Sequence, residues 1–185
     1  EVGRFAIREK AFTAGCQLFE IDFFGRAGHG ARPHLTGDTI SAAASWLSLF
    51  YERLHRSHDA QDPVVGNIGA IHGGHAANVV PEHVAVTGTI RTLSDAGFET
   101  AKTALEKISQ ATELTHPVKV KITYSTHTPP VINAPKVVKP LRAAAAALVG
   151  SSHITDIPLP SMGAEDFAFF AAQVPAAMLR LGVAG

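Results

Sequence analysis

Apolar residues along this chain recur first at every second position and then at every third and fourth. The order in which those two periods alternate restricts the fold more than any single motif does. Leu18 to Phe24 alternates, with Phe19, Ile21 and Phe23 on one face and Glu20 and Asp22 on the other, the pattern of a half-buried strand. Ile40, Ala43, Ala44, Leu47, Tyr51 and Leu54 then repeat at helical spacing after two capping candidates, Thr36 and Asp38. Val64 to Ile71 and Val84 to Ile90 read as two strands, the second with Val84, Val86 and Ile90 on one face and Thr87, Thr89 and Arg91 on the other. Ser94 is placed to cap a second helix carrying Phe98, Ala101, Leu105 and Ile108, and Val118, Val120, Ile122 and Tyr124 alternate in a last strand. Strand, helix, strand, strand, helix, strand is the split βαβ, ferredoxin-like order. It predicts an α+β fold, a four-stranded antiparallel sheet with two helices on one face.

Thr128-Pro129-Pro130 marks a boundary after that unit. Beyond it, Val138, Leu141, Ala145 and Leu148 predict another helix, and Gly163-Ala164-Glu165-Asp166 opens a short one. Arg4-Phe5-Ala6-Ile7-Arg8 reads as a strand close behind Glu1, so the sequence is expected to be a segment of a longer protein.

With 46% hydrophobic residues in 185, the chain has ample material for a core. Lysine plus arginine equals aspartate plus glutamate, 16 of each, so no overall positive field favours a nucleic-acid backbone or an anionic membrane. No apolar run approaches the roughly 20 residues of a membrane span, and no signal-peptide order is present. The single cysteine, Cys16, reads as buried filler and favours a reducing, cytoplasmic setting.

Two glycine-rich stretches, GRAGHGARPH from residue 25 and GGHAANVVPEH from residue 73, carry several of the 10 histidines. His29 and His34 are five apart around Pro33, and His72 and His75 are three apart around two glycines. Neither pair has the four-residue helical spacing that presents two imidazoles to one metal, and no carboxylate pair completes a site. His55, His58, His116 and His153 fall on expected solvent faces or loop edges. GRAGHG lacks both the G-x-G-x-x-G order and the lysine and hydroxyl of a phosphate loop. Glycine there provides positive φ or close backbone approach, which lets a side chain such as that of His29 project toward a ligand or another subunit. The chemistry stays open on these residues alone.

Four motifs in order narrow it: Gly25 to His34 with Asp38, Gly73 to Glu82, Gly88-Thr89-Ile90-Arg91-Thr92, and Met162-Gly163-Ala164-Glu165-Asp166-Phe167. Together they resemble the zinc amidohydrolases of the aminoacylase and hippurate hydrolase type, metallopeptidases that cleave N-acyl and N-aroyl amino acids, including auxin conjugates. The resemblance implies an α/β catalytic domain with two zinc ions and a ferredoxin-like lid that builds a homodimer. Residues 1–15 would then be a catalytic-domain strand leading into the lid, 16–128 the lid, and 129–185 the C-terminal part of the catalytic domain. By the same resemblance His29 stabilises the oxyanion in a neighbouring subunit's site, while Asn78 and Arg91 hold polar parts of a small N-acyl amino acid.

The family's metal-binding segments have no counterpart in these residues, so this stretch alone is expected to bind no zinc and to turn over nothing. Nucleic acid and membrane are not expected partners. Glu165 and Asp166 point in different directions at a helix start and read as site-wall or capping residues. His34 and His75 read as loop structure or dimer contacts. The alternative reading is an autonomous ferredoxin-like dimerisation or ligand-binding module without catalysis.

Overall fold

The computed structural model describes residues 2–183. Strands β1 (Phe5–Ile7), β2 (Lys10–Thr13) and β3 (Gly15–Gly25) are followed by the two-residue β4 (Gly28–His29) and helix α1 (Thr39–Arg53). Next come β5 (Val64–Gly73), β6 (Val79–Val80), β7 (His83–Thr92), α2 (Asp95–Thr115) and β8 (Val118–Thr128). The chain ends with β9 (Val131–Asn133), α3 (Pro135–Val149), β10 (Ile154–Asp156), α4 (Phe167–Ala171) and β11 (Arg180–Leu181).

The described residues fall into two compact units, one holding Gln17–Arg91 and Ala96–His127, the other the residues up to Cys16, Thr92–Asp95 and those from Thr128 onward. In the first unit the sheet order is β5-β7-β3-β8, the ferredoxin-like arrangement predicted from the periods. Alternation along β3 buries Phe19, Ile21 and Phe23, and the buried faces of α1 and α2 join them in one core. Both helices therefore lie on the same face of the sheet. Asp38, one of the two capping candidates, is the N-cap of α1, its carboxylate accepting from the Ser41 N–H at 3.0 Å.

The centre of this core is aromatic. Trp46 stacks on Phe50 at 5.3 Å and meets Phe23 edge-on at 6.2 Å, arrangements that contribute ~0.5–1.5 kcal/mol each beyond area burial. The Trp46 indole N–H has no access to water and donates to the Ser109 hydroxyl at 3.0 Å, which ties α1 to α2. Cys16 is buried.

In the second unit β1 pairs in parallel with β10 and antiparallel with β11, and β2 pairs antiparallel with β9. A small core of Phe12, Val131 and Ala168 lies beside them. Buried Asn133 has partners for both of its polar atoms: its amide nitrogen donates to the carbonyls of Arg8 and Met178, and its oxygen accepts from the Met178 N–H. Among the described residues no helix is long and apolar enough to cross a membrane.

Two stability predictions follow from the first unit. Ser109→Ala leaves the buried indole N–H without an acceptor and should cost about 1–3 kcal/mol. A urea midpoint lowered with unchanged slope would confirm it, and an unchanged midpoint would contradict it. Tyr124 has a buried hydroxyl with no partner. Its pKa is pushed up to about 12, by burial first and then by the charges of Glu106 and Glu99. The unfolded phenol ionises near pH 10, so this contribution to stability is intact below about pH 10 and is lost as the pH rises through about 12. Phenolate absorbance assigned by difference from Tyr124→Phe should emerge only near the upper value; emergence near the lower one would contradict the burial argument.

Candidate functional site

The two glycine-rich stretches leave the same end of the ferredoxin-like sheet. Gly25 closes β3 and its N–H donates to the Glu82 carbonyl at 2.9 Å, just before β7 begins. Past that rung the chains continue as a miniature ladder in which β4 pairs antiparallel with β6, Gly28 opposite Val80 and His29 opposite Val79. The Gly30 N–H then donates to the Asn78 carbonyl at 2.8 Å. Sequence positions almost fifty apart thus become neighbours, and His29 and Asn78 are brought together.

Glycine serves the first loop by close approach rather than by positive φ. A side chain on Gly25 would collide with the carbonyl oxygen of Gly37 and with the Thr39 methyl. Positive φ occurs in the other loop, at Gly74 (77°). The Gly37 N–H donates to the Arg26 carbonyl at 2.9 Å, and the Thr39 hydroxyl at the start of α1 donates to the Pro81 carbonyl at 2.9 Å. Both loops are thereby tied to the first turn of α1.

His29 is exposed. Its Nδ1 accepts from the Ala31 N–H at 3.1 Å, so the neutral ring carries its proton on Nε2. The outward edge of the imidazole is a hydrogen-bond donor. Asn78 is exposed beside it.

Arg91 is not part of this group. It is half-buried near the far end of β7, eight residues beyond His83, or about 26 Å of strand at ~3.3 Å per residue. Within one chain the three predicted residues form two groups at opposite ends of the sheet. His34 lies exposed in a short 3-10 turn spanning Pro33–Leu35, and His75 is exposed. Asp166 occupies the N-cap position of α4 without a capping side-chain bond, and Glu165 accepts the Ala168 N–H on its carbonyl. Among the described residues no group of three or more His, Cys, Asp or Glu side chains is disposed to hold a metal.

Three features depend on tertiary neighbours and differ from the expectation of exposed side chains. Asp22, on the polar face of β3, is buried by His83, whose Nε2 lies 2.7 Å from Oδ1. His58 is half-buried, with Nε2 2.9 Å from the Gly97 carbonyl and Nδ1 3.1 Å from that of Leu54, joining the end of α1 to the first turn of α2. His116 is half-buried with Nε2 3.3 Å from the Ser45 hydroxyl.

The first unit is thus a ferredoxin-like α+β domain that carries a paired two-loop tip. Residues 14–117 match the family model of the M20 peptidase dimerisation domain, and the chain belongs to that family. A probable hydrolase of Synechocystis is 36% identical over 95% of this chain and 45% of its own length. N-acetyldiaminopimelate deacetylase of Shouchella clausii is 32% identical over 98% of the chain and 48% of its own length. Among solved structures, a putative aminohydrolase from methicillin-resistant Staphylococcus aureus superposes with a TM-score of 0.90 over all of this chain and 47% of its own, at 24% identity. A dinuclear metal binding peptidase of the M20 family from Bacillus subtilis superposes with a TM-score of 0.75 over 96% of this chain and 43% of its own, at 20% identity. At these identities the superpositions speak to the fold. The chain spans about half the length of the curated relatives it matches.

The imidazole geometry predicts a measurable tautomer. Long-range nitrogen–proton correlation spectra of the neutral His29 ring should show Nε2 protonated and Nδ1 pyridine-like. The reverse pattern would mean that the Ala31 contact does not hold in solution.

Proposed function

We propose that this chain is the dimer-building lid, with adjoining parts of the catalytic domain, of a metal-dependent amidohydrolase that cleaves N-acyl or N-aroyl amino acids. The observation that carries the reading is the grouping of His29 with Asn78 at one end of the sheet and of Arg91 at the other. A substrate the size of a dipeptide is ~7 Å long and cannot touch both groups in one chain. A twofold dimer of lids supplies the missing proximity: the His29–Asn78 tip of one subunit reaches the site beside Arg91 of its partner. The Synechocystis relative is named as a probable hydrolase and the Shouchella clausii relative as a deacetylase of an N-acetylated amino acid, which supports amide cleavage.

In this assignment the His29 Nε2–H donates to the oxygen that becomes negative as the amide carbonyl turns tetrahedral. Asn78 offers a second polar contact to the acyl amide, and Arg91 pairs with the substrate carboxylate. The Ala31 N–H keeps Nδ1 occupied as an acceptor, so the ring needs no reorientation when charge develops. Among the described residues no group of side chains is disposed to hold a metal, so the part proposed for this stretch is to bind and polarise the substrate. The two metal ions of the parent enzyme, which we take to be zinc, belong to other segments of its catalytic domain in this proposal; the neighbour of similar fold described as a dinuclear metal binding peptidase supports a two-metal site.

In the full-length enzyme, His29→Ala should lower kcat about a hundredfold or more, the scale for one lost oxyanion donor, with zinc content unchanged. Retention of full kcat would remove His29 from the reaction.

A further inference from the structure

We propose that the Asp22–His83 pair is the positioning device that holds His29 and Asn78 in place, an inference that rests on the reading of those residues as the reactive tip. Asp22 is a buried carboxylate, its side chain 13% exposed, on the sheet face away from the helices. A carboxylate in that position is costly unless a donor meets it. His83 meets it at 2.7 Å through Nε2. The Phe24 ring stacks on the same imidazole at 4.9 Å and 21° between planes. Two residues of β3, two positions apart on one face, therefore grip one imidazole at the first position of β7.

The location gives the grip its purpose. Immediately beyond it lies the Gly25–Glu82 rung, and beyond that rung both chains leave the sheet for the loops that carry His29 and Asn78. The end of a strand ladder opens locally at small free-energy cost unless side chains pin it. Thr39 pins the Pro81 carbonyl from α1. Asp22, His83 and Phe24 pin the opposite face. Because β4 and β6 are paired to each other, displacement of the rung at Gly25 moves His29 and Asn78 together, and an oxyanion donor loses its effect when moved by a fraction of a hydrogen-bond length. Asp22 and His83 touch no substrate in this scheme; they act through the tip.

The test uses the full-length dimeric enzyme. His83→Ala should accelerate amide exchange at Gly25 and Gly30 about tenfold or more and lower kcat by a similar factor, with KM and zinc content little changed. His83→Gln, whose amide nitrogen lies as many bonds from the backbone as Nε2, should restore most of both. His83→Asn, one bond shorter, should not, and this pair of variants decides the matter if the alanine variant fails to fold. In a His29→Ala background, His83→Ala should cost clearly less in kcat than it does in the wild-type background, leaving only the part that passes through Asn78, because the clamp works through the tip. A full additive loss there, or unchanged exchange at Gly25 and Gly30 in both His83→Ala and His83→Asn, would overturn the proposal. If His29→Ala is itself silent, the oxyanion reading fails, and the exchange rates alone still decide whether the pair holds the tip.

Discussion

The approach of Gly25 to the Gly37 carbonyl and the Thr39 side chain is the contact on which the functional geometry depends. No other residue type fits there, so the chain leaves β3 along a single path. That path brings Gly25 against Glu82 and Gly30 against Asn78, and the second glycine-rich loop is folded back onto the first. The ferredoxin-like core fixes where this happens. Trp46, Phe50, Phe23 and Leu105 hold α1 and α2 on one face of the sheet, and the first turn of α1 supplies Asp38 and Thr39 to the base of the loops. The tip is thus an extension of a packed scaffold rather than a free loop.

An exposed imidazole N–H is worth little in water, where any anion it meets is already solvated. It becomes a strong electrostatic device only when a second surface excludes water and the donor is already aimed. The tip meets the second condition by itself, through the Ala31 contact to Nδ1 and the paired strands beneath it. In the proposed function the first condition is met by another subunit. On that proposal, the separation of Arg91 from His29 by most of the length of β7 makes the site depend on the dimer.

Period was legible in the sequence and register was not. Alternation at Phe19, Ile21 and Phe23, and helical spacing through Phe98, Leu105 and Ile108, identify the elements of the first unit because one face of each must be buried. Asp38 was legible as a cap because its side chain acts three residues away along the same strand of chain. The Asp22–His83 pair was not, since it joins residues 61 positions apart through the alignment of β3 with β7. The His58–Gly97 contact was hidden for the same reason, at 39 positions. Strands β9, β10 and β11 are two or three residues long, too short to show a period, and their pairing with β1 and β2 reaches across more than a hundred residues. The four motifs pointed to His29, Asn78 and Arg91 as a set, but only the strand geometry divides that set in two.

The most direct measurement is complementation between two defective subunits of the full-length enzyme, one carrying His29→Ala and the other Arg91→Ala. Each homodimer lacks one group in both of its sites. If the tip acts across the dimer, the mixed dimer has one site that combines an intact Arg91 from the first subunit with an intact His29 from the second. The account predicts recovery of about half the wild-type activity per mixed dimer, the share of one restored site in a C2 pair. Mixed dimers that assemble and stay as inactive as the two parents would show that His29 and Arg91 do not meet across the interface, and would contradict it.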